Sequence, residues 1–338
     1  MKKYYVLLLS MFTLAAFGQE SPYKANNYFE QMGTSLPTPN TYRSASGAPG
    51  RDYWQQRADY KINVELDDVN QRLIGSETIT YFNNSPEPLR YLWVQLDQNR
   101  FKDDALGKVT RGSDIDTKRG ESMRSLSAID GKSDKPYGYM ITAVLDAAKR
   151  PLKYTINGTM MRVDLPAPLD NGKTFTFSID WNHNIIEVRA QGGRGGYEFF
   201  EKDGNYLYEM AQWFPRMCVY DDVNGWQNKQ FIGQGEFALV FGNYEVAITA
   251  PNDMVVGATG EIQNMDKVLS NEMKKRLKQA ETSKIPVLIV NQSEAEAAEK
   301  GKPTGKKTWI FKAENVRDFA FAASRKFIWD AMKVDVEG

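Results

Sequence analysis

In "YKINVEL" (60–66) and "RLIGSETITYF" (72–82), apolar and polar residues alternate on either side of the polar link "DDVNQ". Successive side chains of a strand point to opposite faces, so each run carries one apolar face that has to lie on a core. The link is too short for a crossover between parallel strands, which makes the pair an antiparallel hairpin.

The same texture recurs along the chain. "LRYLWVQLD" (89–97) follows the breaker "NNSPEP", and "YGYMITAVL" (137–145), "PLKYTI" (151–156), "MMRVDLP" (160–166) and "TFTFSIDW" (174–181) come next. "NYLYEM", "GEFALVF", "YEVAITA", "MVVGATG" and "KTWIFKA" complete the series. Asn157-Gly158 marks a tight turn between two runs, and Gly242-Asn243 predicts a second hairpin. An aromatic content of 12%, with 7 Trp, suits packed strands and excludes wholesale disorder. The reading is an all-β fold, a large antiparallel sandwich or curved open sheet over residues 55–332. A charged insertion or loop spans 100–136, and "DKVLSNEMKKRLKQAETSK" followed by "SEAEAAEKGK" predicts a helical insertion over 266–300.

The N-terminus obeys different rules. Lys2 and Lys3 precede a short apolar run from Val6 to Phe17, and small residues lead into Gln19. That pattern predicts a cleaved signal peptide, residues 1–18, and hence an exported, periplasmic or extracellular protein. The run is too short to span a bilayer, and no later segment is apolar enough to do so. Residues 19–54 read as a polar arm with one short helix near Tyr28 to Met32. Lys and Arg number 43 against 43 Asp and Glu, so no basic field exists to recruit nucleic acid. Cys218 is the only cysteine, so no disulfide can form within the chain.

Candidate sites are few. His183, in "DWNHNII", is the only histidine, and one His with one Cys cannot furnish a zinc site. It reads as a turn residue after a strand. The same shortage disfavours nucleophilic triads, and no G-x-S-x-G elbow occurs. "AQGGRGGYE" (190–198) meets neither phosphate-loop pattern and reads as a mobile loop at a domain rim. "YDDVNGW" (220–226) echoes part of a calcium loop, yet Tyr220 stands where the first carboxylate is needed. Asx-turn chemistry leading into Gly225 is the better account. Gln212, flanked by Met210, Trp213 and Phe214, reads on chemistry alone as an amide held in the core.

Two long stretches carry a family likeness: "ADYKINVELDDVNQRLIGSETITYFNNSPEPLRYLWVQLD" and "QWFPRMCVYDDVNGWQNKQFIGQGEFALVFGNYEVAITAPNDMVVGATGE" (212–261). Both resemble the aminopeptidase N-type zinc metallopeptidases, the gluzincin family, and in particular their saddle-shaped, all-β N-terminal domain. "NVRDFAFAASRKFIWDAM" (315–332) resembles the last strands of that domain, which would leave residues 333–338 as the start of a catalytic domain. The resemblance implies an exported member whose N-domain docks the peptide substrate and caps the catalytic domain. In the family a Gln or Glu on the segment preceding a Pro…Asp stretch receives the substrate's α-amine. Gln212, ahead of Pro215 and Asp221, matches that position. The family's zinc is held by H-E-x-x-H and a downstream Glu; this sequence has no H-E-x-x-H, and Asn184 follows its one histidine. The expectation is therefore no catalytic and no metal-ligating residue in this chain, zinc and catalysis residing in a catalytic domain that the sequence does not contain, and no activity from the chain by itself. The alternative is a stand-alone, non-catalytic β-domain that binds peptides or a protein partner; continuation of the coding sequence into H-E-x-x-H separates the two. In "DFAFAAS", Phe319, Phe321 and Ala323 alternate onto one face, with Phe327, Ile328 and Trp329 close behind. They predict an apolar patch that a partner domain would cover.

Overall fold

The alternating runs become the first two strands of the largest sheet. β1 (Arg57–Asp67) and β2 (Arg72–Phe82) pair antiparallel, with Tyr60 opposite Ile79 and Leu66 opposite Leu73. The computed structural model describes residues 38–110, 135–233, 237–301 and 304–335. The signal peptide, the expected helix near Tyr28 and most of the charged insertion fall outside those residues.

The chain forms two compact units, Met1–Trp54 and Gln55–Gly338. The described part of the first is a small turn structure. The Asn40 side chain accepts from the amides of Tyr42 and Arg43, and Arg43 lies over the Tyr53 ring. The second unit carries the sheets.

Its remaining strands are β3 (Leu89–Gln95), β4 (Met140–Asp146), β5 (Tyr154–Asn157), β6 (Met160–Leu169), β7 (Thr174–Asn184), β8 (Gly196–Phe200), β9 (Asn205–Met210) and β10 (Arg216–Met217). Then follow β11 (Tyr220–Asp221), β12 (Gly225–Trp226), β13 (Gly242–Pro251), β14 (Val255–Ala258) and β15 (Glu261–Ile262). The last four are β16 (Val287–Val290), β17 (Lys306–Val316), β18 (Phe321–Ser324) and β19 (Trp329–Ala331). A seven-stranded sheet runs β15-β17-β13-β1-β2-β7-β4, and two four-stranded sheets run β10-β3-β6-β5 and β14-β18-β9-β8. The fold is all-β, and its strand pairs are antiparallel except β1 with β13, which is parallel.

That exception corrects the second predicted hairpin. Gly242 opens β13 and makes no turn; a Cβ there would lie 1.6 Å from the Ala58 carbonyl oxygen. The glycine is needed for close approach of two backbones at the entry of the parallel pair. "GEFALVF" likewise forms no strand among its described residues, which make only isolated bridges, such as Cys218 with Leu239. In the 266–300 segment, helices Asn271–Ala280 and Gln292–Lys300 flank β16, which pairs with β19. The second helix starts in a capping box between Asn291 and Glu294.

One apolar cluster joins the sheets. Ile62 and Val64 of β1, Ile79 of β2, Ile179 and Trp181 of β7 and Val246 of β13 pack with Leu92 and Val94 of β3. Trp213, Phe214 and Met217 enter the same cluster from the segment after β9. The rings interlock: Tyr60 stacks on Tyr244 at 4.7 Å, and Trp213 lies 5.9 Å from Trp181 and 5.2 Å from Phe321. Phe319, Phe321 and Ala323 are therefore core, contrary to the patch predicted for them. Ile328 of that predicted patch is exposed (53%), and Leu288 (49%) and Met332 (48%) lie with it around the β16–β19 ribbon.

Candidate functional site

Between β9 and β10 the chain turns through Ala211 and Gln212 and then buries Trp213, Phe214 and Pro215. Gln212 adopts φ 55°, the left-handed region. For a residue with a Cβ this costs about 1–2 kcal/mol, so the surroundings have to impose it.

They do so from several sides. The Gln98 side chain donates Nε2–H to the Gln212 carbonyl at 2.9 Å, and the Tyr139 hydroxyl approaches the same oxygen at 3.5 Å. His183 places Nε2 3.1 Å from the next carbonyl, that of Trp213. The Trp213 indole N–H donates to the Phe319 carbonyl at 2.9 Å, anchoring the following ring. On the other flank, Gly195 abuts the strand end: a Cβ there would lie 2.8 Å from the Ala211 amide nitrogen. Each such bond contributes about 1 kcal/mol, enough in sum to offset the strain at Gln212.

With the backbone held this way, the Gln212 side chain is half-buried and makes no hydrogen bond among the described residues. Its carboxamide is free to accept from, or donate to, a group arriving from solvent. That differs from the core amide expected on chemistry alone.

A buried ion cluster lies beside the turn. Arg216 donates from Nε and Nη2 to Asp97 at 3.1 and 2.9 Å, and from Nη1 to Asp318 at 2.7 Å. Arg216 and Asp97 are buried, whereas the Asp318 side chain is 40% exposed. Asp97 and Gln98 belong to one short 3-10 turn, Asp97–Phe101, so the ion cluster and the Gln212 clamp share a support.

His183 is an interior residue of β7, paired with Leu73, and not a turn residue. Its Nδ1 faces the Asn184 carbonyl at 3.2 Å and its Nε2 the Trp213 carbonyl. A neutral imidazole has one N–H, so it bonds one carbonyl and abuts the other. Burial pulls its pKa down to about 4, against the two carbonyls, which favour the cation. Such a ring is committed to the core and does not fit a zinc ligand. Among the described residues no three His, Cys, Asp or Glu side chains are arranged to hold a metal ion. Cys218 is buried against Met160 Sδ at 3.7 Å, and burial pushes its thiol well above the ordinary value.

The other sequence candidates resolve locally. Asp221 accepts from the amides of Val223 and Asn224, the expected Asx turn, and Gly225 at φ 64° closes the β11–β12 hairpin. The glycine loop leads into β8 as a strut: Gly195 lies against Ala211, and a Cβ on Gly196 would sit 2.4 Å from the Ile186 carbonyl oxygen. Gln98 and Tyr139 were not identified from sequence, and Gly195 only as part of the glycine loop. The one trace of Gln98 is a polar triplet, Asp97-Gln98-Asn99, at the end of an apolar strand, all three of which are buried.

No family model matches the chain, and no curated protein matches it. Among solved structures it is similar to an M1 zinc metallopeptidase from Deinococcus radiodurans, at 12% identity and a TM-score of 0.38, over 81% of this chain and 43% of that one. A mutant of that enzyme bound to a Tyr-Ser-Ala substrate gives 12% identity and a TM-score of 0.39, over 81% and 44%. A two-domain mutant bound to L-arginine gives 12% and 0.38, over 80% and 41%. The chain thus spans less than half the length of these structures. At this identity and TM-score the likeness carries no functional argument.

Proposed function

We propose that this chain is the substrate-docking β-domain of an exported, aminopeptidase-like zinc metallopeptidase, with Gln212 receiving the α-amine of a peptide. The observation that carries the reading is the Gln212 turn itself: a strained backbone, held by side chains from other elements, presents a carboxamide that is unpaired among the described residues. The sequence likeness of residues 212–261 to the aminopeptidase N-type N-domain supports it independently.

An amide oxygen accepts a hydrogen bond from an ammonium without needing a charge of its own. Discrimination follows from hydrogen bonding at a partly dry site, since acetylation removes the charge and two of the three N–H donors of the ammonium and leaves a weaker neutral donor. Zinc and the water it activates would come from a catalytic domain carrying H-E-x-x-H, for which the residues of this chain provide no ligands. Export would follow from the signal segment.

The test is a calorimetric titration of the full chain with tri-alanine and with N-acetyl-tri-alanine. The expected result is a preference for the free amine, on the order of tenfold, that Gln212→Ala abolishes. Equal binding of the two peptides would remove Gln212 from the docking role.

A further inference from the structure

We propose that Gln98 is a positioning residue for Gln212: its side-chain N–H holds the Gln212 carbonyl so that the carboxamide faces outward. The inference rests on the reading of Gln212 as the amine acceptor.

Gln98 is buried (6% exposed) and sits on the Asp97–Phe101 turn, far from Gln212 in sequence. Its Nε2 to Gln212 carbonyl distance of 2.9 Å is that of a full hydrogen bond. The Tyr139 hydroxyl, at 3.5 Å, is at the margin of one, so Gln98 is the principal donor to that oxygen.

The turn that carries Gln98 is itself fixed. Asp97 accepts two N–H groups of buried Arg216, and Asn99 donates to the Gly158 carbonyl at 2.8 Å and accepts from the Tyr139 amide at 2.9 Å. The donor is thus held on a rigid base, as positioning requires. Left-handed φ at Gln212 is strained, so a carbonyl freed from its donor allows the peptide to rotate towards an ordinary β conformation. Rotation about φ re-aims the Cα–Cβ bond, and with it the carboxamide.

The variant is Gln98→Met, close in length and shape but without a donor. Two readouts are taken on the full chain: a crystal structure of the variant, and the tri-alanine against N-acetyl-tri-alanine titration. Expected are a Gln212 φ outside the left-handed region and a loss of amine preference on the order of fivefold, with a cooperative unfolding transition retained. Gln212 remaining left-handed, or a changed φ with full amine preference, overturns the proposal. If Gln98→Met does not fold, the smaller Gln98→Leu also lacks any donor, and the same two outcomes decide. A wild-type chain that shows no amine preference overturns the docking reading, and the variant's φ still decides whether Gln98 holds the turn.

Discussion

Glu77 offers a sharp test of how this core is built. It lies on the inward face of β2, between Ile62 of β1 and Ile179 of β7, with no surface exposed. Both carboxyl oxygens lack a hydrogen-bond partner among the described residues, and the buried guanidinium of Arg216 is already taken by Asp97 and Asp318. Burial therefore raises its pKa well above the ordinary value, and the folded protein holds it as the neutral acid. The unfolded chain releases that proton above about pH 4.3, so the stability Glu77 confers as an acid is complete below that pH. It is lost as pH rises towards the folded pKa, by about 1.4 kcal/mol for each pH unit.

His183 acts in the opposite sense. Its folded pKa is depressed to about 4, so its contribution is present above the unfolded value of 6.5 and is lost as pH falls. The two slopes oppose one another in the overlapping window, and the wild-type curve alone conceals both. The informative quantity is the difference between wild type and Glu77→Gln, in which the amide does not titrate. Urea unfolding is followed by tryptophan fluorescence at about pH 5, 6 and 7, with stability extrapolated to water. The variant is expected to gain on wild type as pH rises, at up to about 1.4 kcal/mol per unit for as long as the native carboxyl stays protonated. Parallel curves would refute the reasoning, because they would require Glu77 to be ionised or paired in the native state.

Three other outcomes follow from the same packing. Asp97→Ala leaves Arg216 buried with only the half-exposed Asp318, and is expected to cost about 3–5 kcal/mol in urea unfolding. Gly195→Ala drives a methyl into the Ala211 backbone, and should cost about 1–3 kcal/mol while weakening the preference for free-amine peptide. The exposed apolar residues of the β16–β19 ribbon should bind a hydrophobic dye, and Leu288→Lys combined with Ile328→Lys should remove most of that fluorescence without lowering stability.

Much of the sheet was legible because period-two alternation is a local signal. Both strands of the β1–β2 hairpin, the Asn157-Gly158 turn and the Asx turn at Asp221 require only neighbouring residues. The misreadings share another cause. Gly242 and Gly195 looked like turn or loop glycines, but each is set by a backbone distant in sequence that leaves no room for a Cβ. His183 and Phe319 looked like surface features until strands from elsewhere closed over them.

By itself the sequence determined the all-β class and the lack of histidine and cysteine for a zinc site, and it singled out Gln212 only through a family resemblance. Those rest on composition, short-range periodicity and motif likeness. Only the tertiary structure decided that Gln212 is left-handed, that its carboxamide is unpaired among the described residues, and that Gln98, Tyr139, His183 and Gly195 surround its turn. Those residues lie on separate elements, and no local pattern records which side chain will meet a carbonyl once the sheets have packed.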